Sequence, residues 1–70
     1  MTFDELLKKI RTELNITQEQ FARELSISYS TLSRWENGHT TPSRLAKMSL
    51  MEFCKKQNLS VDLLNHIEEL

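Results

Sequence analysis

The chain holds one glycine, one proline, one cysteine, one tryptophan and one tyrosine in 70 residues. So little glycine and proline excludes collagen-like, linker-like and loop-rich architectures and favours uninterrupted secondary structure. The lone cysteine, Cys54, cannot form an internal disulfide, so a reducing cytoplasm is the expected compartment. No apolar run approaches the roughly 20 residues needed to cross a bilayer. The opening Met1-Thr2-Phe3-Asp4-Glu5 lacks the basic and then apolar blocks of a signal peptide, so no membrane association is expected. Alternation of β-branched or aromatic residues with polar ones is also missing, which leaves little signal for strands.

Hydrophobic residues make up 39% and charged residues 27%, the balance of a soluble globular chain. The length fits one small domain, residues 1–70, with no internal repeat. Net charge is −1, so the chain does not advertise the basic surface usual in nucleic-acid binding. The distribution is slightly uneven. Residues 17–47 carry Arg23, Arg34, Arg44 and Lys47 against Glu19, Glu24 and Glu36, whereas residues 48–70 carry Lys55 and Lys56 against Glu52, Asp62, Glu68 and Glu69. Net charge says nothing about where those charges point.

Apolar spacing predicts five helices. Phe3, Leu6, Leu7, Ile10 and Leu14 form one stripe, opened by a capping box of Thr2 and Glu5 and closed near Asn15. Thr17 and Gln20 form a second capping box ahead of Phe21, Ala22 and Leu25. Ser28 caps a third helix that runs to Trp35 or Glu36 and stops at Asn37-Gly38. Thr41 as cap and Pro42 as first helical residue open a fourth, with Ala46, Leu50, Phe53, Cys54 and Gln57 on one face and an end near Asn58. Ser60 caps a final helix carrying Val61, Leu63, Leu64, Ile67 and Leu70. The expected architecture is all-α, a compact bundle of five short helices.

The second and third helices, joined by a short turn, form a helix-turn-helix unit if their inner faces fit. Phe21, Ala22, Leu25, Ile27, Leu32 and Trp35 supply the apolar positions, and Ala22 is small where two helices must cross closely. At about 100° per residue, Ser28, Thr31, Leu32 and Trp35 gather on one side of the third helix, and Tyr29, Ser30, Ser33, Arg34 and Asn37 on the other. Every member of the second set can donate a hydrogen bond, and none is Lys or acidic. That side suits the DNA major groove, which admits one α-helix. Arg34 can fork onto guanine O6 and N7, Ser30 can bond a neighbouring base edge, and the Tyr29 ring can cover a thymine methyl. Gln18 and Asn37 can hold phosphates. Read singly, each of these is ordinary solvated surface, with Tyr29 able to pack on a neighbouring helix. Read together on one face they favour DNA.

Residues 16–43, ITQEQFARELSISYSTLSRWENGHTTPS, resemble the lambda-repressor-like (Cro/CI, or XRE) helix-turn-helix family. The elements that carry the resemblance are Thr17-Gln18, Phe21-Ala22, Trp35-Glu36-Asn37-Gly38 and Thr41-Pro42-Ser43. The layout matches from the first helix to Leu64. The family consists mainly of prokaryotic and phage transcriptional regulators that bind operators as dimers. The resemblance implies base reading by Tyr29, Ser30 and Arg34, with Ser33 on the same face. It implies a phosphate or base-buttressing contact by Gln18 and phosphate contacts by Ser28, Asn37, Thr40 and Arg44. It also implies a structural ion pair between Arg11 and Glu36 that keeps Glu36 away from DNA. Two positions depart from the family pattern. Ser26 stands where the turn usually has Gly, and Asn15 where Gly usually precedes Thr17-Gln18. If both require left-handed backbone, Asn adopts it readily and Ser less so.

One recognition helix reads one half-site, so the expected assembly is a homodimer on a palindromic operator, acting as a repressor-type regulator. Leu63, Ile67 and Leu70 are the candidate dimer surface, within a dimerisation helix spanning residues 60–70, and Leu45, Met48 and Met51 form a second apolar stripe. The competing assignment for all of these is completion of the core in so short a chain. No cofactor, metal or small-molecule ligand is expected. His39 and His66 lie far apart without partners at ligand spacing, and no phosphate loop or nucleophile–base signature is present, so the chain does not read as an enzyme. Cys54 reads as a buried small hydrophobe. The other reading left open is a helix-turn-helix protein-interaction module, such as an antitoxin or adaptor.

Overall fold

A computed structural model describes residues 2–38, 42–59 and 61–69. Five helices follow one another: α1 (Phe3–Leu14), α2 (Gln18–Glu24), α3 (Tyr29–Glu36), α4 (Arg44–Lys56) and α5 (Val61–Glu69). No strand occurs among the described residues. α1 is the central element, packed on α3 along one side and on α5 along another, while α2 lies on α3 and α4 on α5.

The starts of α1 to α4 are each set by a side chain that takes up an amide the helix itself cannot satisfy. Thr17 and Gln20 bond reciprocally at α2, at 2.9 and 3.1 Å. The Ser28 hydroxyl accepts from the Thr31 amide at 3.1 Å. At α1 the Glu5 carboxylate accepts from both the amide and the hydroxyl of Thr2, at 3.0 and 2.7 Å. Those bonds, the backbone one foremost, hold the Glu5 carboxyl below its ordinary range. α4 begins two residues later than the sequence suggests. Ser43 is its cap, accepting from the Ala46 amide at 3.2 Å, and Pro42 lies ahead of the helix instead of in its first turn. A helix opening at Pro42 would leave the Ser43 hydroxyl without an unsatisfied amide to bond, and the later start gives it one. The expected caps Thr41 and Ser60 lie outside the described residues.

Three helix ends, those of α1, α2 and α4, share one geometry that uses no glycine. Asn15, Ser26 and Asn58 all adopt left-handed backbone, with φ of 55°, 58° and 59°. In each case the following amide reaches five residues back: Ile16 to the Arg11 carbonyl, Ile27 to Ala22, and Leu59 to Cys54, at 3.0–3.2 Å. This is the Schellman arrangement, and its accompanying apolar contact is present three times. Ile16, Ile27 and Leu59 all pack against the core. Gly38, with φ of 82°, ends α3. Gln57, expected on the inner face of α4, is exposed because the helix stops at Lys56 and leaves it at the cap.

The core joins Leu6, Leu7 and Ile10 of α1 to Phe21 of α2, Leu32 of α3, Leu50 and Cys54 of α4, and Leu63 and Ile67 of α5. Phe21 meets Phe53 with ring centroids 5.3 Å apart, and Phe3 meets Trp35 at 5.4 Å. Both pairs are tilted, as aromatic quadrupoles prefer. Leu63 and Ile67 therefore do not form a dimer surface. α5 turns that stripe inward against α1 and α4, where it completes the core of a short chain. Leu70 lies outside the described residues. The large apolar side chains left in solvent include Leu45, Met48 and Val61, at 76%, 55% and 69% exposure.

Ser26 carries a left-handed strain that glycine would not, so Ser26→Gly should raise stability by about 1 kcal/mol, read from the urea midpoint. Burial pushes the Cys54 thiol up from 9.0 to about 11, and a buried thiol that keeps its proton is a poor nucleophile. Its contribution to stability is intact below pH 9.0 and is lost as the pH rises towards about 11. Native protein at about pH 8 should therefore resist a thiol-reactive disulfide that titrates Cys54 fully in urea.

Candidate nucleic-acid interface

The helix-turn-helix is built by a four-residue connection, Leu25 to Ser28. The left-handed Ser26 reverses the chain, Ile27 anchors it in the core and Ser28 starts α3. Leu32 and Glu36, one turn apart, face inward, and Trp35 lies half-buried on the Phe3 ring.

The opposite side of α3 is open. Tyr29 is 51% exposed, and Ser30, Arg34 and Asn37 are exposed, with Ser33 half-buried at the margin. None of these five side chains is hydrogen-bonded to another described residue. Ser28 differs, since its hydroxyl serves the Thr31 amide and lies 2.8 Å from the Thr31 hydroxyl. Arg44 stands exposed at the first turn of α4. Thr40 lies outside the described residues. Arg34 is the sole charged group on the open side of α3, so hydrogen-bonding shape dominates its chemistry over net charge.

Behind this face sits a buried ion pair. Glu36 is 2% exposed, and Arg11 of α1 grips it with two bonds, Nε to Oε2 at 2.8 Å and Nη2 to Oε1 at 2.7 Å. Bidentate geometry is the strongest form such a pair takes. Gln18, the first residue of α2, adds a third bond, Nε2 to Glu36 Oε1 at 3.1 Å. Three helices therefore meet on one carboxylate. The sequence resemblance implies the Arg11–Glu36 pair; it does not place Gln18 on Glu36. Eighteen residues separate those two, and no helical period links them.

Residues 7–50 match the model of a family described as helix-turn-helix. The chain belongs to that family, in its XRE branch. Among curated relatives, the HTH-type transcriptional activator BcrR of Enterococcus faecalis is 36% identical over 70 residues, covering all of this chain and 33% of BcrR. The type II methyltransferase M1.ScrFI of Lactococcus lactis subsp. cremoris is 37% identical over 51 residues, 69% of this chain and 13% of the methyltransferase. The chain thus spans a third or less of the relatives it matches. No solved structure gives a significant match.

Breaking the ion pair should be costly, because it strands a buried carboxylate. Arg11→Ala should lose about 2 kcal/mol in urea unfolding, below the roughly 3–5 kcal/mol of a fully buried pair because the Arg11 side chain is 25% exposed. Arg11→Met combined with Glu36→Leu should recover most of that loss, since no charge is then left without a partner.

Proposed function

We propose that this domain is a sequence-specific double-stranded DNA reader of a transcription regulator, with α3 in the major groove. The observation that carries the reading is the open side of α3, where donors and acceptors face solvent without partners among the described residues. Membership of the helix-turn-helix family and similarity to BcrR, a transcriptional activator, support it. A groove about 12 Å wide accepts a helix about 10–12 Å across. In this reading Arg34 forks onto guanine, Ser30 and Ser33 bond adjacent base edges, and the Tyr29 ring lies against a thymine methyl. Gln18, Ser28, Asn37, Thr40 and Arg44 approach the phosphates and set the register.

A palindromic operator holding two copies, with recognition helices about 34–36 Å apart, completes the proposal. With Leu63 and Ile67 used up by the core, the exposed Leu45, Met48 and Val61, together with Leu70 from the sequence-based expectation, are apolar side chains available to a second copy. For the sign of regulation our reading is repression: a domain seated over a promoter blocks polymerase without any further contact. The domain itself carries no catalysis in this reading, and its place of action is the cytoplasm.

Fluorescence anisotropy with duplex fragments of the source genome tests the reading. Binding should weaken as salt rises, with a log–log slope of about −0.9 per phosphate neutralised. Arg34→Ala should relax preference at one base pair, by about 1–3 kcal/mol, while Asn37→Ala should weaken all sequences alike. Absence of duplex binding even at low salt would instead assign the open face of α3 to a protein partner.

A further inference from the structure

A continuous cleft runs between the α2–α3 turn and α4. Beside the N-terminal half of α4 it holds about 310 Å³ and is mostly apolar, lined by Leu25, Ile27, Trp35, Leu45 and Ala46 with three serines and no charged group. Towards the end of α4 it opens into a further space of about 780 Å³, where Glu24 and Glu52 stand with Lys55 and Lys56. Leu25, Ser26 and Ser49 belong to both parts. Leu45 protrudes beside the apolar part, 76% exposed, with Met48 one turn further along α4 at 55%. None of the four charged side chains is paired with another described residue. The cleft meets α3 only at Trp35, on the side away from Tyr29 and Arg34, so whatever fills it leaves the open side of α3 free.

Resting on the two-copy arrangement proposed above and deepening it, we infer that this cleft is the contact between the copies, with the two α4 helices side by side and parallel. A two-fold contact brings one patch against itself, so each group must find its complement within that same patch. The cleft meets this condition at both ends. A protruding Leu45 adjoins an apolar hollow, and two carboxylates adjoin two ammonium groups with no charge left over. Parallel helices match like halves. Leu45 and Met48 of one copy enter the apolar part of the other, and Glu52 meets the lysines of the other copy about one turn along, twice over by symmetry. An antiparallel pair would press Leu45 onto the lysine end and leave the carboxylates facing apolar surface. Parallel packing also keeps Arg44 of both copies at the same end of the pair, where the proposed reading puts the phosphates, whereas antiparallel packing sends them to opposite ends. An unlike partner would require none of this internal balance.

Sedimentation equilibrium without DNA tests the inference. The unmodified chain should form dimers with a Kd below about 1 mM, and a chain still monomeric at that concentration would overturn the contact and leave the cleft to an unlike partner. Leu45→Glu should weaken association by about tenfold or more while its urea midpoint stays unchanged, because Leu45 is exposed. Undiminished association of Leu45→Glu would place the dimer on another surface. Glu52→Lys, and separately Lys55→Glu combined with Lys56→Glu, should each lose association through like-charge repulsion across the two-fold. An equal mixture of these two variants should regain the affinity of the unmodified chain, since each copy then offers the charge that the other lacks. A mixture that regains nothing would overturn the parallel pairing. No duplex is present in these measurements, so their failure leaves the DNA-reading role of α3 standing. Failure of duplex binding, read separately by anisotropy, would reject that role and leave the dimer in place.

Discussion

A single buried carboxylate ties the first three helices together. Taking Glu36 out of water is unfavourable by several kcal/mol unless its oxygens are fully engaged. Arg11 from α1 and Gln18 from α2 engage them, and the arrangement exists only when α1, α2 and α3 are all in place. Apolar contacts alone would tolerate small slides of one helix on another, whereas bonds of 2.7 and 2.8 Å to a planar fork do not. The rotation of α3 about its own axis is therefore fixed from behind, and with it the direction in which Tyr29, Ser30 and Arg34 project.

The rest of the core follows from economy of apolar surface. Every helix contributes one stripe, and the five stripes close on one another with Phe21 against Phe53 and Phe3 against Trp35. On α5, Leu63 and Ile67 sit wholly inside. Among the described residues, the large apolar side chains left outside are Tyr29 on α3, Leu45 and Met48 on α4, and Val61 at the start of α5. A chain of 70 residues thus assigns its stripes by need, core first.

Most of this was legible in the residues because the signals are local. Capping pairs three residues apart announce α1 and α2, the single cap Ser28 announces α3, and the open face of α3 is a matter of 100° steps. The start of α4 was misplaced because Thr41 and Ser43 are both competent caps, and local chemistry does not rank them. The two apolar stripes of α5 are equally plausible interiors until the position of α1 is known, so the fate of Leu63 was a question of packing. Gln18 bonding Glu36 was invisible for the same reason: the contact spans two helices with no shared period. Sequence spacing reports what lies along an element far better than what lies across two.

The glycine-free helix ends have a mechanical consequence. Each of the apolar residues Ile16, Ile27 and Leu59 works as a peg, seated in the core one step past a left-handed turn. Swinging α3 relative to α2 would require pulling Ile27 out of its socket as well as releasing Glu36. In the DNA-reading role proposed above, a domain with such stiff joints would dock as a rigid body, so any mismatch of curvature would fall to the duplex. Base steps that kink or twist easily would then be favoured even where no side chain touches them.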